Sequence, residues 1–426
     1  MKITPQTAIF VLLSFEGPDP YSQAGGLGTR VHNLCESLAE QGYETHLFFV
    51  GDPELPGEEA IVGGKYVLHR WSQWISHYHP NGVYDGEDNK VNDYTGSVPQ
   101  YILDNIARRA AAEGKTLVVM AEEWHTVETL CSLSDLLNWY GMRRNCVMLW
   151  NANNTMSFHR INWGRLTYVS RITAVSKFMK QIMANLGMES IVIPNGIPER
   201  MLKPHNPEYF SAIKSVLASR GSGLNLLKIG RFDPAKRWIM AVEAAARLKQ
   251  RGTNVTLFIR GGLEPHGGEV LGHAAALGLS VADVTSPDRR PTVLQSISLI
   301  ENAPRADILN LKFFLPEEFV LLMYGACDSV FANSGFEPFG LVGLEVMASG
   351  GLAVTGATGE DYVIPFVNAI TAETNDPNEI VAYLQYLYDD PAAKDRIKTE
   401  AYKTAAQFTW PVVINNLVRR IEYIGM

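Results

Sequence analysis

The stretch NSGFEPFGLVGLEVMASGGLAVTGATGEDYV, residues 333–363, decides the fold of this chain. Pro338 and Gly340 interrupt regular structure near its start, and the apolar residues of the next segment, LVGLEVMA, recur at helical spacing. The run DSVFA at residues 328–332 comes just before it and has the length of a buried strand. The sequence therefore predicts a strand, a loop and a helix in succession.

Two glutamates flank the predicted start of this helix. Glu337 falls in the loop, and Glu345 falls about one turn inside the helix. Helix N-termini collect unpaired backbone N–H groups and a partial positive charge, which suits an anion. Two carboxylates beside such a site suit a ligand that has hydroxyls as well as phosphates, such as a sugar nucleotide. The alternative is that both glutamates are solvated and the glycine-rich run is a tight turn.

The same stretch resembles the C-terminal donor-site motif of the retaining family-4 glycosyltransferases, which have the two-domain GT-B fold. The resemblance implies that Glu337 faces the donor sugar and that Glu345 binds the nucleotide ribose. It also implies that the sugar and distal phosphate are held by the backbone N–H groups of Phe339, Gly340 and Leu341.

A second motif, GRFDPAKR, begins at Gly230 and resembles the diphosphate-binding Gly-Arg…Lys motif of that family. The leaving nucleoside diphosphate gains charge as the glycosidic bond breaks, and fixed cations stabilise that charge most in the transition state. Arg231 can bind a phosphate as a fork and Lys236 as a point charge. The alternative is a basic turn that caps a helix. With Glu337, these two residues are the predicted catalytic groups.

Composition limits the classes of function. The chain has 426 residues, 46% hydrophobic and 19% charged, which suits two or three globular domains. A net charge of −8 argues against nucleic acid as a partner and against binding to an anionic lipid surface. The four cysteines are scattered, so we expect reduced thiols in a cytoplasmic protein without a membrane span. The other main glycosyltransferase fold binds its metal through an Asp-x-Asp motif, which this sequence lacks. We therefore expect neither a metal nor a cofactor besides the substrate nucleotide sugar.

The N-terminal half begins with an apolar strand at residues 7–14 and a glycine loop that includes Gly25 and Gly26. A helix and a strand at residues 44–50 follow it. The loop lacks the G-x-G-x-x-G spacing, which argues against a hydride-transfer enzyme. It resembles the family-4 glycine turn that approaches the donor diphosphate and the acceptor. Close packing of the helix on the strand is an additional role for such small residues.

Candidate acceptor residues follow later strands. The stretch EEWHT after the strand at residues 116–120 contains His125 and resembles starch- and glycogen-synthase-like members. Many relatives have a sugar-contacting histidine at the end of the next strand, where this chain has Asn151; its amide, or His159 from the following loop, could replace that contact. Arginines beyond it favour either a phosphorylated acceptor or ordinary surface ion pairs. They are Arg160, Arg165 and Arg171.

Residues 65–100 are rich in aromatic and histidine residues and show little periodicity. Aromatic faces with hydrogen-bonding edges suit a carbohydrate acceptor, and loops on rigid scaffolds often determine specificity. The alternative is a surface loop packed by its own aromatic residues. In either case the sequence predicts a long loop here.

Repeated strand–helix alternation predicts an α/β protein with the GT-B fold, in which two doubly wound Rossmann-like domains face each other across a cleft. We expect residues 1–200 to form the acceptor domain and residues 201–407 the nucleotide-sugar domain. The last helix, residues 408–426, is expected to cross back to the first domain.

The resemblance implies a retaining, metal-independent transfer of a hexose, with UDP-glucose as the expected donor. A soluble sugar or sugar phosphate is one expected acceptor, as in sucrose-phosphate synthases, which use fructose 6-phosphate. A polysaccharide or glycolipid acceptor is a second possibility, and a non-catalytic sugar-nucleotide-binding protein is a third. We expect a monomer or a weak homo-oligomer.

Overall fold

The computed structural model describes residues 2–221 and 223–424, which divide into two compact units. The first unit contains the chain up to Pro198 and again from Phe408 onward, and the second is Glu199–Gln407. Each unit is built on a largely parallel β-sheet with helical connections, which confirms the predicted pair of Rossmann-like α/β domains.

The first unit has an eight-stranded sheet in the order β3-β4-β2-β1-β5-β6-β7-β8, with β3 antiparallel at its edge. Its strands are β1 Ala8–Leu13, β2 Glu44–Val50, β3 Glu58–Ile61, β4 Tyr66–Trp71, β5 Thr116–Glu122, β6 Cys146–Ala152, β7 Arg171–Ala174 and β8 Ile191–Val192. Its helices before Pro198 are α1 Gly26–Glu40, α2 Gln73–Ser76, α3 Glu87–Ile102, α4 Arg108–Ala112, α5 Val127–Trp139, α6 Trp163–Val169 and α7 Lys177–Asn185.

The prediction of a long loop over residues 65–100 is wrong. Strand β4 pairs in parallel with β2, and α3 covers most of the second half of the segment. Polar residues interrupt the hydrophobic pattern of both elements. His69 and Arg70 are buried within β4, and Lys90 is buried near the start of α3. Tertiary pairing thus overrides a weak local pattern.

The second unit has a seven-stranded sheet in the order β11-β12-β10-β9-β13-β14-β15. Its strands are β9 Leu224–Ile229, β10 Val255–Arg260, β11 Val281–Thr285, β12 Ile308–Lys312, β13 Ser329–Ala332, β14 Ala353–Thr355 and β15 Ile370–Thr371. Its helices are α8 Pro207–Ser219, α9 Trp238–Gln250, α10 His266–Ala276, α11 Val293–Glu301, α12 Glu317–Ala326, α13 Leu341–Ala348, α14 Pro377–Asp389 and α15 Pro391–Ala405.

One element of this unit differs in type from its sequence pattern. The segment VLQSISLI at residues 293–300, with β-branched Val293, Ile297 and Ile300, predicts a strand, but it forms helix α11. Thr292 and Gln295 make a reciprocal capping box at its start, with the Thr292 N–H donating to the Gln295 side chain at 2.7 Å. The first turn of a helix leaves backbone N–H groups unpaired, and this capping box satisfies two of them. It therefore favours a helix over a strand for this segment.

The last helix, α16 Trp410–Ile424, packs on the first unit. The backbone of Ile197 accepts from Trp410 at 3.0 Å and donates to Phe408 at 2.9 Å. A Cβ on Gly196 would lie 2.6 Å from the Trp410 ring, so glycine allows this close approach. The buried Trp410 side chain therefore completes the core of the first unit.

Across residues 2–221 and 223–424, the helices lack the combination of length and apolar composition that a bilayer span requires.

Candidate functional site

The loop before α13 is held by a second loop, residues 356–362. Gly340 caps α13 with a φ of 80°, and a Cβ there would lie 2.6 Å from Cγ of Glu360. A Cβ on Gly359 would lie 2.2 Å from the Pro338 carbonyl oxygen. Glycine is required at these positions because backbone and side chain meet at contact distance. The helix start is therefore rigidly placed.

The N-terminus of α13 presents free backbone donors. Among the residues that the structure describes, no side chain caps this helix, and the amides of Gly340 and Leu341 have no hydrogen-bond acceptor. The Phe339 side chain is buried against Tyr362, which orients the turn. Unpaired N–H groups at the positive end of a helix dipole suit a phosphate.

A lysine and a glutamate from the two predicted motifs meet beside this helix start. The Lys236 ammonium lies 2.5 Å from the Glu337 carboxylate, and both side chains are partly exposed. Lys236 ends the short turn Pro234–Lys236, which Asp233 caps through a 2.8 Å bond from the Ala235 amide. The structure thus brings together residues that are 101 positions apart in the sequence.

Glu345 lies on α13 just beyond its first turn, as the sequence predicts. Its carboxylate accepts a hydrogen bond from the Tyr324 hydroxyl. Burial, with the charge of Glu317, raises the pKa of Glu345 to about 7, although the Tyr324 bond opposes this shift. A half-buried carboxyl that is poorly solvated gains from a ligand hydroxyl that donates to it.

Gly230 and Arg231 lie at the end of β9. Gly230 has a φ of 155°, and the Arg231 backbone carbonyl accepts from Trp238 Nε1 at 2.7 Å. The Arg231 guanidinium is exposed and makes no ion pair or hydrogen bond with another described residue. It is therefore available to a ligand, and its catalytic role stays a prediction.

Lys228 lies on β9 and was not predicted from the sequence, although its side chain supports the loop that follows β13. Its buried ammonium donates to Asn333 Oδ1 at 2.6 Å and lies 5.1 Å from the centre of the Trp238 ring. Burial lowers the pKa of Lys228 to about 7, and the charge of Lys236 acts in the same direction. A lysine inside the apolar strand NLLKIG was the signal that could have revealed it.

Thr358 and Glu360 were also missed. The Thr358 hydroxyl accepts from the Glu337 amide at 2.9 Å and donates to the Glu337 carbonyl at 3.1 Å. The Thr358 amide in turn donates to the Glu360 carboxyl at 3.1 Å. Burial raises the pKa of Glu360 to about 7, and the charge of Glu337 adds to the shift. These contacts fix the backbone of Glu337.

In the first unit, backbone amides of the glycine loop donate hydrogen bonds to a carboxylate of the chain itself. The Glu16 carboxylate accepts from the amides of Ala24 and Gly25 at 3.2 and 3.0 Å, and a weaker contact joins it to Gly28 at 3.4 Å. The predicted donor contact of Gly25 therefore has an internal competitor. Gly26 is exposed, and its predicted contact stays open. Gly28 approaches Gly17 too closely for any Cβ, in keeping with the packing role.

Asn151 does not supply a free amide for a sugar. It is buried, and both hydrogens of its amide are used, in bonds to Glu122 and Asn153 at 3.0 Å each. Its oxygen accepts from the Thr173 hydroxyl at 2.9 Å. Glu122 is also paired with the buried Arg30. The structure therefore places Asn151 in an internal polar network, and its contact with an acceptor stays a prediction.

His125 is buried between aromatic rings. Its ring stacks on Phe15 and Trp124, and its Nε2 lies 2.8 Å from the Glu87 carboxylate. Burial lowers the pKa of His125, while the hydrogen bond to Glu87 opposes this. The neighbouring Glu123 has a φ of 60°, a strained conformation at the end of β5.

The predicted acceptor arginines are not grouped. Arg160 lies over the Trp124 ring and pairs with Asp88 at 2.7 Å, while Arg165 pairs with Asp135 at 2.6 Å. Arg171 begins β7, two residues before the position that pairs with Asn151. His159 is exposed next to Arg160. For Arg160 and Arg165 these contacts favour the alternative of surface ion pairs, and their contact with a phosphorylated acceptor stays a prediction.

Among the described residues, no group of three or more His, Cys, Asp or Glu side chains has a geometry that could hold a metal ion.

A family model described as "Glycosyl transferases group 1" matches residues 210–404. A D-inositol 3-phosphate glycosyltransferase of Thermomonospora curvata is 23% identical over 417 residues, which cover 93% of this chain and 90% of that protein.

Solved structures show the same fold. A sucrose-phosphate synthase from Thermosynechococcus elongatus has a TM-score of 0.68 at 18% identity, over 98% of this chain and all of that one. The Anabaena protein HepE in complex with UDP and glucose has a TM-score of 0.63 at 14% identity, over 97% and 99% of the two chains. The resemblance to glycosyltransferases with the GT-B fold is confirmed.

Proposed function

We propose that this GT-B glycosyltransferase moves a hexose from a nucleoside-diphosphate sugar to a sugar hydroxyl, with retention of configuration and without a metal ion. The observation that supports the proposal most directly is the 2.5 Å pair of Lys236 and Glu337 beside the open N-terminus of α13. A cation, free amides and a carboxylate are the groups needed to hold a diphosphate and a sugar hydroxyl together.

In the proposed mechanism the bond from the anomeric carbon to the diphosphate breaks first. Lys236, Arg231 and the amides at the start of α13 stabilise the negative charge that develops on the departing phosphate. Glu337 holds the donor sugar and orients Lys236. The acceptor hydroxyl attacks the same face of the sugar, and its proton passes to the departing phosphate oxygen, so the nucleoside diphosphate leaves without a base from the protein.

UDP-glucose is the proposed donor, and the similarity to HepE, solved with UDP and glucose, supports it. The names of two relatives, a sucrose-phosphate synthase and a D-inositol 3-phosphate glycosyltransferase, favour a small carbohydrate acceptor. We propose a sugar or sugar phosphate, with fructose 6-phosphate as the first compound to test.

Replacement of Arg231 by alanine tests the proposal. We expect kcat to fall about a hundredfold or more while the Kd for UDP rises less than about tenfold, because the charge on the phosphate grows in the transition state. Release of UDP from UDP-glucose measures the first quantity, and calorimetric titration measures the second. Arg251→Ala, which removes an exposed arginine bonded to Gln385, is the matched control. Equal turnover in the Arg231 and Arg251 variants would refute the assignment.

A further inference from the structure

A cavity of about 320 Å³ adjoins the glycine loop of the first unit, and its size falls in the lower range of small-molecule pockets. It lies between the loop that precedes α1 and the segment that precedes α3. Its polar lining consists of phenol, amide and carboxylate groups, and no lysine or arginine is among its lining residues. They are Pro20, Tyr21, Gln23, Ala24, Pro80, Asn81, Gly82, Val83, Tyr84 and Asp85.

Lys90, a cation next to the cavity wall, is not available to a ligand. Its ammonium is fully buried and makes three hydrogen bonds, to the Tyr21 hydroxyl at 2.7 Å and to the carbonyls of Gly82 and Val83 at 3.1 Å each. An ammonium has three hydrogens, so all of its donors are used. Lys90 therefore supports the wall instead of binding an anion.

The helix start at the cavity is also closed to anions. The Glu16 carboxylate accepts from the amides of Ala24 and Gly25, and its other oxygen accepts from the Tyr84 hydroxyl at 2.7 Å. A phosphate that entered here would have to displace a bonded carboxylate. It would also meet Asp85, whose oxygens accept from Asn81 and lie 3.2 Å from His79. The negative charges of a phosphate and of Asp85 would repel each other.

We propose that this cavity binds the acceptor and that it selects an unphosphorylated sugar. The inference rests on the proposed function and narrows its acceptor to the uncharged class. The Tyr84 ring, 37% exposed, offers a face on which a pyranose can stack, and Asn81 and Gln23 offer amide groups to hydroxyls. Tyr84 belongs to the aromatic segment whose composition suits carbohydrate.

The experiment compares free sugars with their own monophosphates. Release of UDP from UDP-glucose is followed with glucose, fructose and myo-inositol, and with a monophosphate of each. We expect kcat/KM for the preferred free sugar to exceed that for its phosphate by at least about tenfold, a difference of about 1.4 kcal/mol. A phosphate that equals or exceeds its free sugar would overturn the inference and leave the proposed transfer reaction intact.

Variants separate the cavity from the rest of the unit. Tyr84→Ala should raise the acceptor KM about tenfold or more by removing the stacking face. Tyr168→Ala, which removes an 87% exposed tyrosine on α6, is the matched control. Equal acceptor KM values in the two variants would overturn the assignment of the cavity.

If the wild-type protein releases no nucleotide from any donor, the proposed function fails, and binding then decides the inference by itself. Saturation-transfer NMR with the same six compounds should show contact with a free sugar that Tyr84→Ala abolishes and Tyr168→Ala retains. Absence of such contact, or contact with the phosphates only, would overturn the inference.

Discussion

The start of α1 in the first unit and the start of α13 in the second have the same local design. Each helix follows a buried parallel strand and has a glycine at its N-cap. At α1 the chain supplies its own anion, because Glu16 binds the amides of Ala24 and Gly25. At α13 the amides of Gly340 and Leu341 have no acceptor among the described residues.

The difference shows that a glycine-capped helix start predicts an anion site but not what occupies it. Three positions after β1, Glu16 has a side chain long enough to reach back over the glycine loop. After β13, the carboxylate of the loop that leads into the helix, Glu337, is instead paired with Lys236. One site is thus closed by a carboxylate, and at the other the carboxylate is neutralised by a cation.

Removal of the cation at α13 should have the largest effect. Lys236→Ala leaves Glu337 without its partner and removes a charge directed at the leaving phosphate, so we expect kcat/KM to fall about a thousandfold, equivalent to about 4 kcal/mol. Initial rates of nucleotide release measure it. Lys312→Ala removes an exposed lysine paired with Asp283 and is the control. If both variants retain full activity, the open helix start is not the donor site.

Removal of the internal anion at α1 should make the two helix starts more alike. Glu16→Gln replaces a charged acceptor with a neutral one, so we expect the amide hydrogens of residues 24–28 to exchange about thirtyfold faster, for a loss of about 2 kcal/mol. Hydrogen–deuterium exchange measures this. Glu40→Gln, at the other end of α1, should leave these residues unchanged. Unaltered exchange in Glu16→Gln would mean that the loop does not depend on the carboxylate.

The loop that supports α13 gives a third test. Thr358→Val removes both hydrogen bonds to the Glu337 backbone while preserving shape, and we expect kcat to fall about tenfold with little change in donor KM. Thr358→Ser retains the hydroxyl and should restore most of the activity. A valine variant as active as the serine variant would show that Thr358 does not position Glu337.

The smallest expected effect depends on pH. The pKa of Glu360 is raised from 4.5 to about 7, so the stability from its protonated form is complete below pH 4.5 and is lost as pH rises through 7. Glu360→Gln cannot ionise. Relative to wild type, we expect its local stability to increase as the pH is raised from 5 to 8.

Hydrogen exchange in residues 356–362, corrected for intrinsic rates, measures this gain. The exposed Glu301→Gln is the control, and it should show no such difference between the two pH values. A gain at low pH instead of high pH would contradict the sign of the shift.

The sequence was most informative where local pattern and fold agree. The strands near β1, β2, β5 and β13 are rich in apolar residues, and each lies where the pattern places it. Lys236 and Glu337 could be assigned to the same predicted site because each belongs to a motif with a recognisable resemblance. In the structure the two side chains lie 2.5 Å apart.

Other residues could not be predicted because their roles depend on distant partners. Thr358 and Glu337 are joined through hydrogen bonds between two loops, and no spacing in the chain announces such a contact. Asn151 is a polar residue at the end of a strand, a position typical of ligand contacts. In the structure, however, its amide nitrogen donates to Glu122 and its amide oxygen accepts from Thr173. Whether a polar side chain is free or satisfied is a property of the assembled sheet.

The seating of Trp410 against Gly196 and Ile197 has a consequence for biosynthesis. The ribosome makes residues 199–407 between the two segments that this contact joins. At 5–20 residues per second, that interval is on the order of 10–40 s. During this time the nascent N-terminal half lacks Trp410 and the helix that follows it, so the apolar surface that they cover in the folded protein is exposed to solvent. Exposed apolar surface of this kind favours aggregation.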